Sequence, residues 1–252
     1  MKDSKNRRGL IVILVLSLVA NVVLLAGIYF IGSVKTDFFG RVGSRIGICE
    51  MSPEKRGDYW CIKGWTNTLN KLNYDADVVF FGNSITCGGD FQDYFTNVKI
   101  CNLGYPGDNM DGMILRVNQI KAVNPEKVFV MAGINGLKYQ TEDVFETKYQ
   151  RMVDSIKCAV PQAEIYLQSI LPVNLDMKSG NTGKVKSKKK GKIMIANEIV
   201  EKIAQRSNCV YVDLWSLYEI DGKMPKELTL DGVHLRPEAY ERWMEEIRKY
   251  IE

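Results

Sequence analysis

The sequence predicts an α/β fold, in which a five-stranded parallel sheet is covered by helices on both faces and preceded by one transmembrane helix. Three observations lead to this prediction: a long uncharged N-terminal stretch, five short apolar runs, and amphipathic helical patterns between those runs. The chain of 252 residues is long enough for one domain of about 200 residues after its N-terminal part. A single core is therefore expected.

Charge and composition exclude several classes of partner. The formal net charge is +4, of which residues 1–8 supply +3, so the rest of the chain has no strong positive field and we expect no nucleic acid partner. His234 is the only histidine, and the six cysteines include no C-x-x-C pair. A metal site with the usual ligand spacing is not expected, and neither a metal nor a cofactor is predicted.

The N-terminal stretch is predicted to be a membrane anchor. Residues 9–32 are 24 residues without a charge, and as a helix they would reach roughly 36 Å, enough to cross a hydrocarbon core of about 30 Å. The alternative is a cleaved signal peptide, but its apolar region usually has only about 7 to 15 residues. The basic residues within residues 1–8 favour a cytoplasmic N-terminus. Everything after Ser33 would then lie outside the cytoplasmic membrane, in the periplasm or the extracellular space.

Residues 33–73 are predicted to be a connector that ends in a short packing helix, since Trp65, Leu69 and Leu72 recur at helical spacing. Cys49 and Cys61 flank one loop of this connector, and the sequence leaves open whether they form a disulfide or remain two thiols. The other four cysteines stand near strand ends or in apolar contexts and are expected to be small buried residues: Cys87, Cys101, Cys158 and Cys209.

Residues 74–252 are predicted to form the α/β domain. Its five strands are expected at residues 78–81, 98–103, 127–132, 164–170 and 209–214. Apolar residues at helical spacing lie between the strands and after the last one: Met113, Ile114, Val117 and Ile120; Phe145, Tyr149, Met152, Val153 and Ile156; Ile195, Ile199 and Ile203; and Tyr240, Trp243, Met244, Ile247 and Ile251. Strands alternating with helices imply right-handed crossovers and a parallel sheet.

The segment at residues 178–192 interrupts this alternation with seven lysines among Gly, Ser, Asn and Thr. Such a run is most often a solvated loop, and a role in steering an anionic substrate is the alternative. A phosphate-binding loop is a poor match, because Lys178 stands where its first glycine is needed and Val185 where Ser or Thr should follow.

Polar side chains recur at the predicted strand ends, where ligands collect beside an open parallel sheet. Ser84 follows the first strand, Gly104 belongs to a glycine-rich stretch after the second, Asn135 follows the third, and Asp231 and His234 precede the last helix. Each has an ordinary interpretation as a turn residue or a structural histidine. Together they offer a nucleophile, a base, an orienting carboxylate and oxyanion donors, the groups that acyl transfer needs.

Four motifs within residues 77–251 make the chain similar to the SGNH (GDSL-type) hydrolases, a family of serine esterases and acetylhydrolases. They occur in the family's order as G-N-S-I-T at 82–86, N-L-G-Y-P-G at 102–107, G-I-N-G at 133–136 and D-G-V-H-L at 231–235. The resemblance implies a flavodoxin-like three-layer sandwich for residues 74–252. An α/β-hydrolase elbow fits less well, because G-x-S-x-G would need a glycine at Thr86.

The resemblance also implies the catalytic roles. Ser84 would be the nucleophile, His234 the base and Asp231 its partner, while Ser84, Gly104 and Asn135 would form the oxyanion hole. Two positions depart from the family's pattern: Asn83 stands where an Asp commonly precedes the serine, and Gly136 where an Asp commonly follows the Asn of the third motif. Neither replaced residue is a core catalytic group of the family.

From these residues we expect a membrane-anchored serine esterase that uses an acyl-enzyme. The resemblance implies a small acyl group, acetyl above all, on an oxygen ester, with a carbohydrate or envelope glycan as substrate. Two alternatives remain: an O-acyltransferase that passes the same acyl group to a sugar hydroxyl, and a non-catalytic tethered module that binds anionic polymer through the lysine-rich segment. The sequence leaves the oligomeric state open.

Overall fold

The computed structural model describes residues 15, 17–26, 68, 69, 72, 74–177 and 190–252. The chain divides into two units, Met1–Met51 and Ser52–Glu252. In the first unit residues 15 and 17–26 are helical and exposed. No helix among the described residues has the length and hydropathy needed to span a membrane. The predicted anchor at residues 9–32 lies largely outside the described residues, as do Cys49 and Cys61, so the anchor and the disulfide stay predictions.

The second unit contains the predicted parallel sheet. Its strands are β1 (Val78–Gly82), β2 (Ile100–Gly104), β3 (Lys127–Met131), β4 (Glu164–Gln168) and β5 (Val210–Val212). The spatial order is β2-β1-β3-β4-β5 and every neighbouring pair is parallel. This is the flavodoxin-like order, in which β2 is added on one side of β1 and β3 to β5 on the other, so the strand order reverses between β1 and β3. The five-stranded parallel α/β fold is therefore confirmed.

Helices cover both faces of the sheet. They are α1 (Ser84–Cys87), α2 (Phe91–Tyr94), α3 (Met110–Leu115), α4 (Asn118–Val123), α5 (Glu142–Ala159), α6 (Lys190–Arg206), α7 (Trp215–Tyr218) and α8 (Pro237–Ile251), with short 3₁₀ turns at Leu137–Tyr139 and Lys226–Leu228. Since side chains alternate along a strand, β1 sends Val79 and Phe81 into the core under α3 to α6, and Val78 and Phe80 into the core under α1, α2, α7 and α8. The three-layer arrangement predicted by the resemblance is confirmed.

Local sequence explains where the long helices begin. Thr141 caps α5 by accepting a hydrogen bond from the Val144 N–H at 3.4 Å, with Glu142 and Asp143 in the first turn. Pro237 occupies the start of α8, where its missing N–H is not needed. The predicted apolar face of α8 is buried, Trp243 fully so.

Several local predictions were wrong. The pattern from Met113 to Ile120 is two helices, because the backbone at Arg116 leaves helical geometry (φ −114°, ψ 14°) while its side chain turns into the core. The lysine-rich segment ends sooner than predicted, since residues 190–192 already belong to α6, and residues 178–189 lie outside the described residues. Leu69 packs against the core but Leu72 is 66% exposed. Cys87 and Cys158 are exposed rather than buried.

Candidate active site

Ser84 lies at the carboxyl edge of the sheet, immediately after β1. Asn83 caps the short helix α1 by accepting the Ile85 N–H at 3.0 Å, so Ser84 is the first residue of that helix. The Ser84 N–H is one of the amides at a helix start that have no acceptor within the helix. Gly82 must lack a side chain here, because a Cβ would collide with the Thr86 hydroxyl and lie 2.8 Å from the Met131 carbonyl oxygen.

The loop before α8 brings His234 to Ser84 across 150 residues of sequence. The Nε2 atom of His234 lies 3.0 Å from Ser84 Oγ, and its Nδ1 atom lies 2.7 Å from Asp231 Oδ2. With the Nδ1–H directed to the carboxylate, Nε2 is the acceptor that faces the serine hydroxyl. The structure thus brings the predicted nucleophile, base and carboxylate into one hydrogen-bonded chain.

The histidine loop is held by the Asp231 carboxylate and by one buried hydroxyl. Asp231 Oδ1 accepts the backbone N–H groups of Val233 and His234 at 3.0 and 2.9 Å. The Thr229 hydroxyl donates to the His234 carbonyl oxygen at 2.8 Å and accepts the Gly232 N–H at 2.9 Å. Gly232 has a positive φ of 90°, a conformation that glycine adopts without strain. These contacts orient the imidazole.

The predicted oxyanion donors lie at neighbouring strand ends. In the sheet register Gly82 pairs with Gly104 on one side and with Met131 on the other, and Asn135 follows β3 by four residues. One hydrogen of the Asn135 side-chain amide goes to the Asp108 carbonyl oxygen at 2.8 Å, which leaves the second for a ligand.

Gly104 is placed differently from the expectation. Its N–H donates to Asn102 Oδ1 at 2.8 Å, and the Asn102 amide nitrogen is itself held by the Thr86 and Gly89 carbonyl oxygens, both at 2.9 Å. The Gly104 N–H is therefore already used within the protein. Its missing side chain has a second function, because a Cβ would meet the backbone of Cys87 in α1.

Residues 80–242 match the sequence profile of the GDSL-like Lipase/Acylhydrolase family. This range covers well over half of the chain and includes all four motifs. The chain belongs to that family. Family membership makes the protein a serine ester hydrolase and confirms the resemblance that the motifs indicate.

Solved structures of several lipases and esterases have the same fold. The chain is similar to a GDSL-like lipase from Bacteroides thetaiotaomicron (22% identity, TM-score 0.63, covering 75% of this chain and 96% of that one). It is also similar to a lipase/acylhydrolase from Enterococcus faecalis (20%, 0.58, 69% and 94%) and to an acetylxylan esterase from Geobacillus stearothermophilus (18%, 0.54, 71% and 94%). No curated protein matches the chain.

A cleft of about 500 Å³ opens beside Ser84 and His234 in this GDSL-like domain. The carboxylates of Asp90, Asp93 and Glu241 lie on its walls together with aromatic and aliphatic side chains from α2 and α8. Among the residues lining it in the described part of the chain there is no lysine or arginine. The cleft is thus acidic and partly aromatic.

Tyr240 connects this cleft to the nucleophile helix. Its hydroxyl donates to the Ile85 carbonyl oxygen at 2.7 Å, and burial raises the pKa of Tyr240, so the phenol stays protonated.

Within the described residues, no group of three His, Cys, Asp or Glu side chains is arranged to hold a metal ion.

The four sequence motifs do not include Thr229, Asp108 and Arg116, which support the site. Thr229 is fully buried two residues before Asp231, which begins the last motif, and a hydroxyl at that position has no signal of its own in one sequence. Arg116 did carry a signal, since it is a charged residue inside the otherwise apolar pattern from Met113 to Ile120. The structure gives it buried partners at the strand ends.

Proposed function

We propose that this GDSL-like enzyme is a membrane-anchored esterase that removes a small acyl group, acetyl above all, from an oxygen ester of a carbohydrate or envelope glycan. The single observation that supports its chemistry is the chain from Ser84 Oγ to His234 Nε2 at 3.0 Å and from His234 Nδ1 to Asp231 Oδ2 at 2.7 Å. Residues 9–32 hold the domain at the outer face of the cytoplasmic membrane, as their 24 uncharged residues suggest.

The reaction begins with attack of Ser84 Oγ on the acyl carbon. His234 Nε2 takes the hydroxyl proton as the C–O bond forms, and Asp231 stabilises the resulting imidazolium. The carbonyl oxygen becomes anionic in the tetrahedral intermediate. It meets the Ser84 N–H and the second hydrogen of the Asn135 amide, donors that are fixed before the charge develops.

Collapse of the intermediate expels the alcohol, which receives its proton from His234, and leaves the acyl group on Ser84. Water then gives its proton to His234 and attacks the acyl carbon. The second tetrahedral intermediate releases the carboxylic acid as His234 returns the proton to Ser84 Oγ. Each proton that His234 removes is thus returned within the cycle.

The cleft supports a sugar as the alcohol part of the substrate. Carboxylates accept hydrogen bonds from hydroxyl groups, and Tyr94 and Tyr240 offer aromatic surface beside Asp90, Asp93 and Glu241. The negative potential of these carboxylates disfavours an anionic alcohol such as a phosphate-bearing polymer. Acetyl as the acyl group is consistent with the similarity to an acetylxylan esterase.

The test is to map the nucleophile and to follow the acyl group. The full-length protein in detergent is treated with an organophosphonate, and intact-mass spectrometry with peptide mapping should place one adduct on Ser84. Acetylated xylo-oligosaccharide and an aryl acetate should both release free acetate, with Ser84→Ala inactive and Ser155→Ala, which changes a hydroxyl in α5, fully active. Turnover by Ser84→Ala equal to wild type would overturn the proposal. Acetyl found on an added glycan acceptor without free acetate would identify an O-acyltransferase instead.

A further inference from the structure

Arg116, between α3 and α4, is a charged side chain in the core. Its side chain is 1% exposed, and that of its partner Asp108 is 0% exposed. A buried guanidinium is costly unless it is paired and its N–H groups are hydrogen-bonded. The location of its acceptors therefore indicates which parts of the structure it holds together.

The guanidinium bonds to three segments that meet at the carboxyl edge of the sheet. Nε donates to Asp108 Oδ2 at 2.6 Å, Nη2 to the Gly82 carbonyl oxygen at 2.8 Å, and Nη1 to the Leu103 carbonyl oxygen at 2.7 Å. Its carbon Cζ also stands 4.2 Å from the centroid of the Phe81 ring. Because the donors of arginine form a rigid planar fork, these bonds fix the end of β1, the end of β2 and the loop after β2 relative to one another.

Two of these contacts lead directly to the proposed oxyanion site. Gly82 is two residues before Ser84, so its carbonyl group fixes the exit of β1 from which the Ser84 N–H projects. Asp108 accepts the Asn135 amide through its own carbonyl oxygen at 2.8 Å. The third contact, to the Leu103 carbonyl, fixes the planar peptide whose Gly104 N–H donates to Asn102, and so holds the end of β2 without supplying an oxyanion donor.

We propose that Arg116 is a positioning residue for the oxyanion site of this hydrolase. It acts through Asp108 on the Asn135 amide and through Gly82 on the exit of β1, and does not touch the substrate itself. Displacement of catalytic donors by about 1 Å is enough to cost on the order of a hundredfold in rate. This inference rests on the proposed esterase function.

Arg116→Lys is the variant that separates charge from geometry. Lysine keeps a positive charge opposite Asp108, but its single ammonium cannot reach three acceptors held by a planar fork. We expect kcat for an aryl acetate to fall roughly tenfold to a hundredfold, with KM changed less than about twofold. The affinity for a boronic acid that forms a tetrahedral adduct on Ser84 should fall by the same factor as kcat. If Arg116→Lys does not fold, Asp108→Asn tests the same connection with the same expected split between kcat and KM.

A double-mutant cycle with Asn135→Ala distinguishes positioning from support of the fold. If Arg116 acts through Asn135, the factor by which Arg116→Lys lowers kcat becomes smaller when Asn135 is already alanine. If Arg116 only supports the fold, Arg116→Lys lowers kcat by the same factor with Asn135 and with alanine at that position. Ile203→Val, a fully buried change in α6, is the stability control and should lower the thermal midpoint while leaving kcat unchanged.

Unchanged kcat in Arg116→Lys would overturn the positioning role, and additive losses in the cycle would overturn its action through Asp108 on the Asn135 amide. Either result would leave the proposed esterase function intact as long as the wild type is active and Ser84→Ala is not. Absence of Ser84-dependent turnover in the wild type would instead overturn the proposed function, and the positioning role with it.

Discussion

The two oxygens of Asp231 serve His234 in two different ways. Oδ2 lies 2.7 Å from the imidazole Nδ1, whereas Oδ1 accepts the backbone N–H of His234 at 2.9 Å. One carboxylate therefore orients the ring and also closes the turn that presents it. Substitutions at Asp231 can separate these functions.

Asp231→Asn is expected to keep the turn and lose most of the activity. The amide oxygen of asparagine can still accept the backbone N–H of His234, but its NH₂ group then faces Nδ1 and favours the wrong tautomer. By analogy with other hydrolase triads, kcat should fall by roughly a thousandfold to ten-thousandfold. Steady-state kinetics and the thermal midpoint measure the two effects, with Asp176→Asn at a surface ion pair as the control. Activity within tenfold of wild type would contradict the assignment of Asp231.

Turnover is expected to decline as the solution becomes acidic. Protonated imidazole cannot accept the Ser84 proton, and imidazole is the side chain that changes charge nearest neutral pH. The measurement is kcat/KM for a neutral aryl acetate from about pH 8 down to pH 5. Circular dichroism at each pH shows whether the domain stays folded. A constant rate across this range in a folded protein would exclude His234 as the base.

Gly104→Ala is expected to destabilise the domain and inactivate it. The new methyl group would meet Thr86 and Cys87, lying 2.7 Å from the Thr86 carbonyl carbon, so β2 and α1 must move apart. Overpacking of this kind typically costs about 1 to 3 kcal/mol of unfolding free energy. Urea denaturation measures it, and the matched control is Gly191→Ala, where a Cβ meets nothing within 4 Å. Equal stability of the two variants would show that α1 yields to the methyl group.

Removal of cleft carboxylates is expected to change substrate preference. The double variant Asp93→Asn, Glu241→Gln should accept an anionic ester more readily. At low salt, its ratio of kcat/KM for an anionic ester to kcat/KM for a neutral ester should rise about two to ten times. Added salt should reduce the difference, because the charges are exposed and screened. Glu198→Gln, which does not line the cleft, is the control. An unchanged ratio at low salt would mean that the alcohol does not occupy this cleft.

Alkaline solution is expected to destabilise the fold through its buried tyrosines. Burial raises the pKa of Tyr149, Tyr218 and Tyr240 above the usual value of 10.0. In the folded protein these tyrosines keep the proton at a pH at which the unfolded chain loses it. Their contribution to the free energy of unfolding is therefore complete below about pH 10, and the free energy of unfolding falls as pH rises further. Urea midpoints at about pH 8 and 10.5 measure this. A midpoint that does not decrease would contradict the burial of these phenols.

The strands and the residues that meet at the candidate site could be predicted because each has a local signature. The run at residues 78–81 is apolar on both faces and ends at a glycine, which is typical of a central parallel strand, and β1 is fully buried. Ser84, Asp231 and His234 follow strands or precede a helix, and parallel strands deliver all such ends to one edge. Topology therefore brings them together without any contact being visible in the sequence.

The supporting contacts could not be predicted, because they depend on side chains that meet only in the folded chain. The same apolar spacing that indicated one helix around Met113 contains Arg116, and only the positions of Gly82, Leu103 and Asp108 explain why the helix breaks there. The hydrogen bond from the Gly104 N–H to Asn102 Oδ1 is a second contact that could not be predicted from the sequence. Motif resemblance assigns the glycine a role, whereas the geometry of one neighbouring amide decides whether its N–H is available.

The 150 residues that separate Ser84 from His234 also set an order of events during synthesis. At about 5 to 20 residues per second, a ribosome adds the histidine roughly 8 to 30 s after the serine. A nascent chain that already displays the nucleophile has no base to activate it. Partly translated or prematurely terminated products therefore lack the base, and ester hydrolysis arises only when the C-terminal part of the polypeptide is complete.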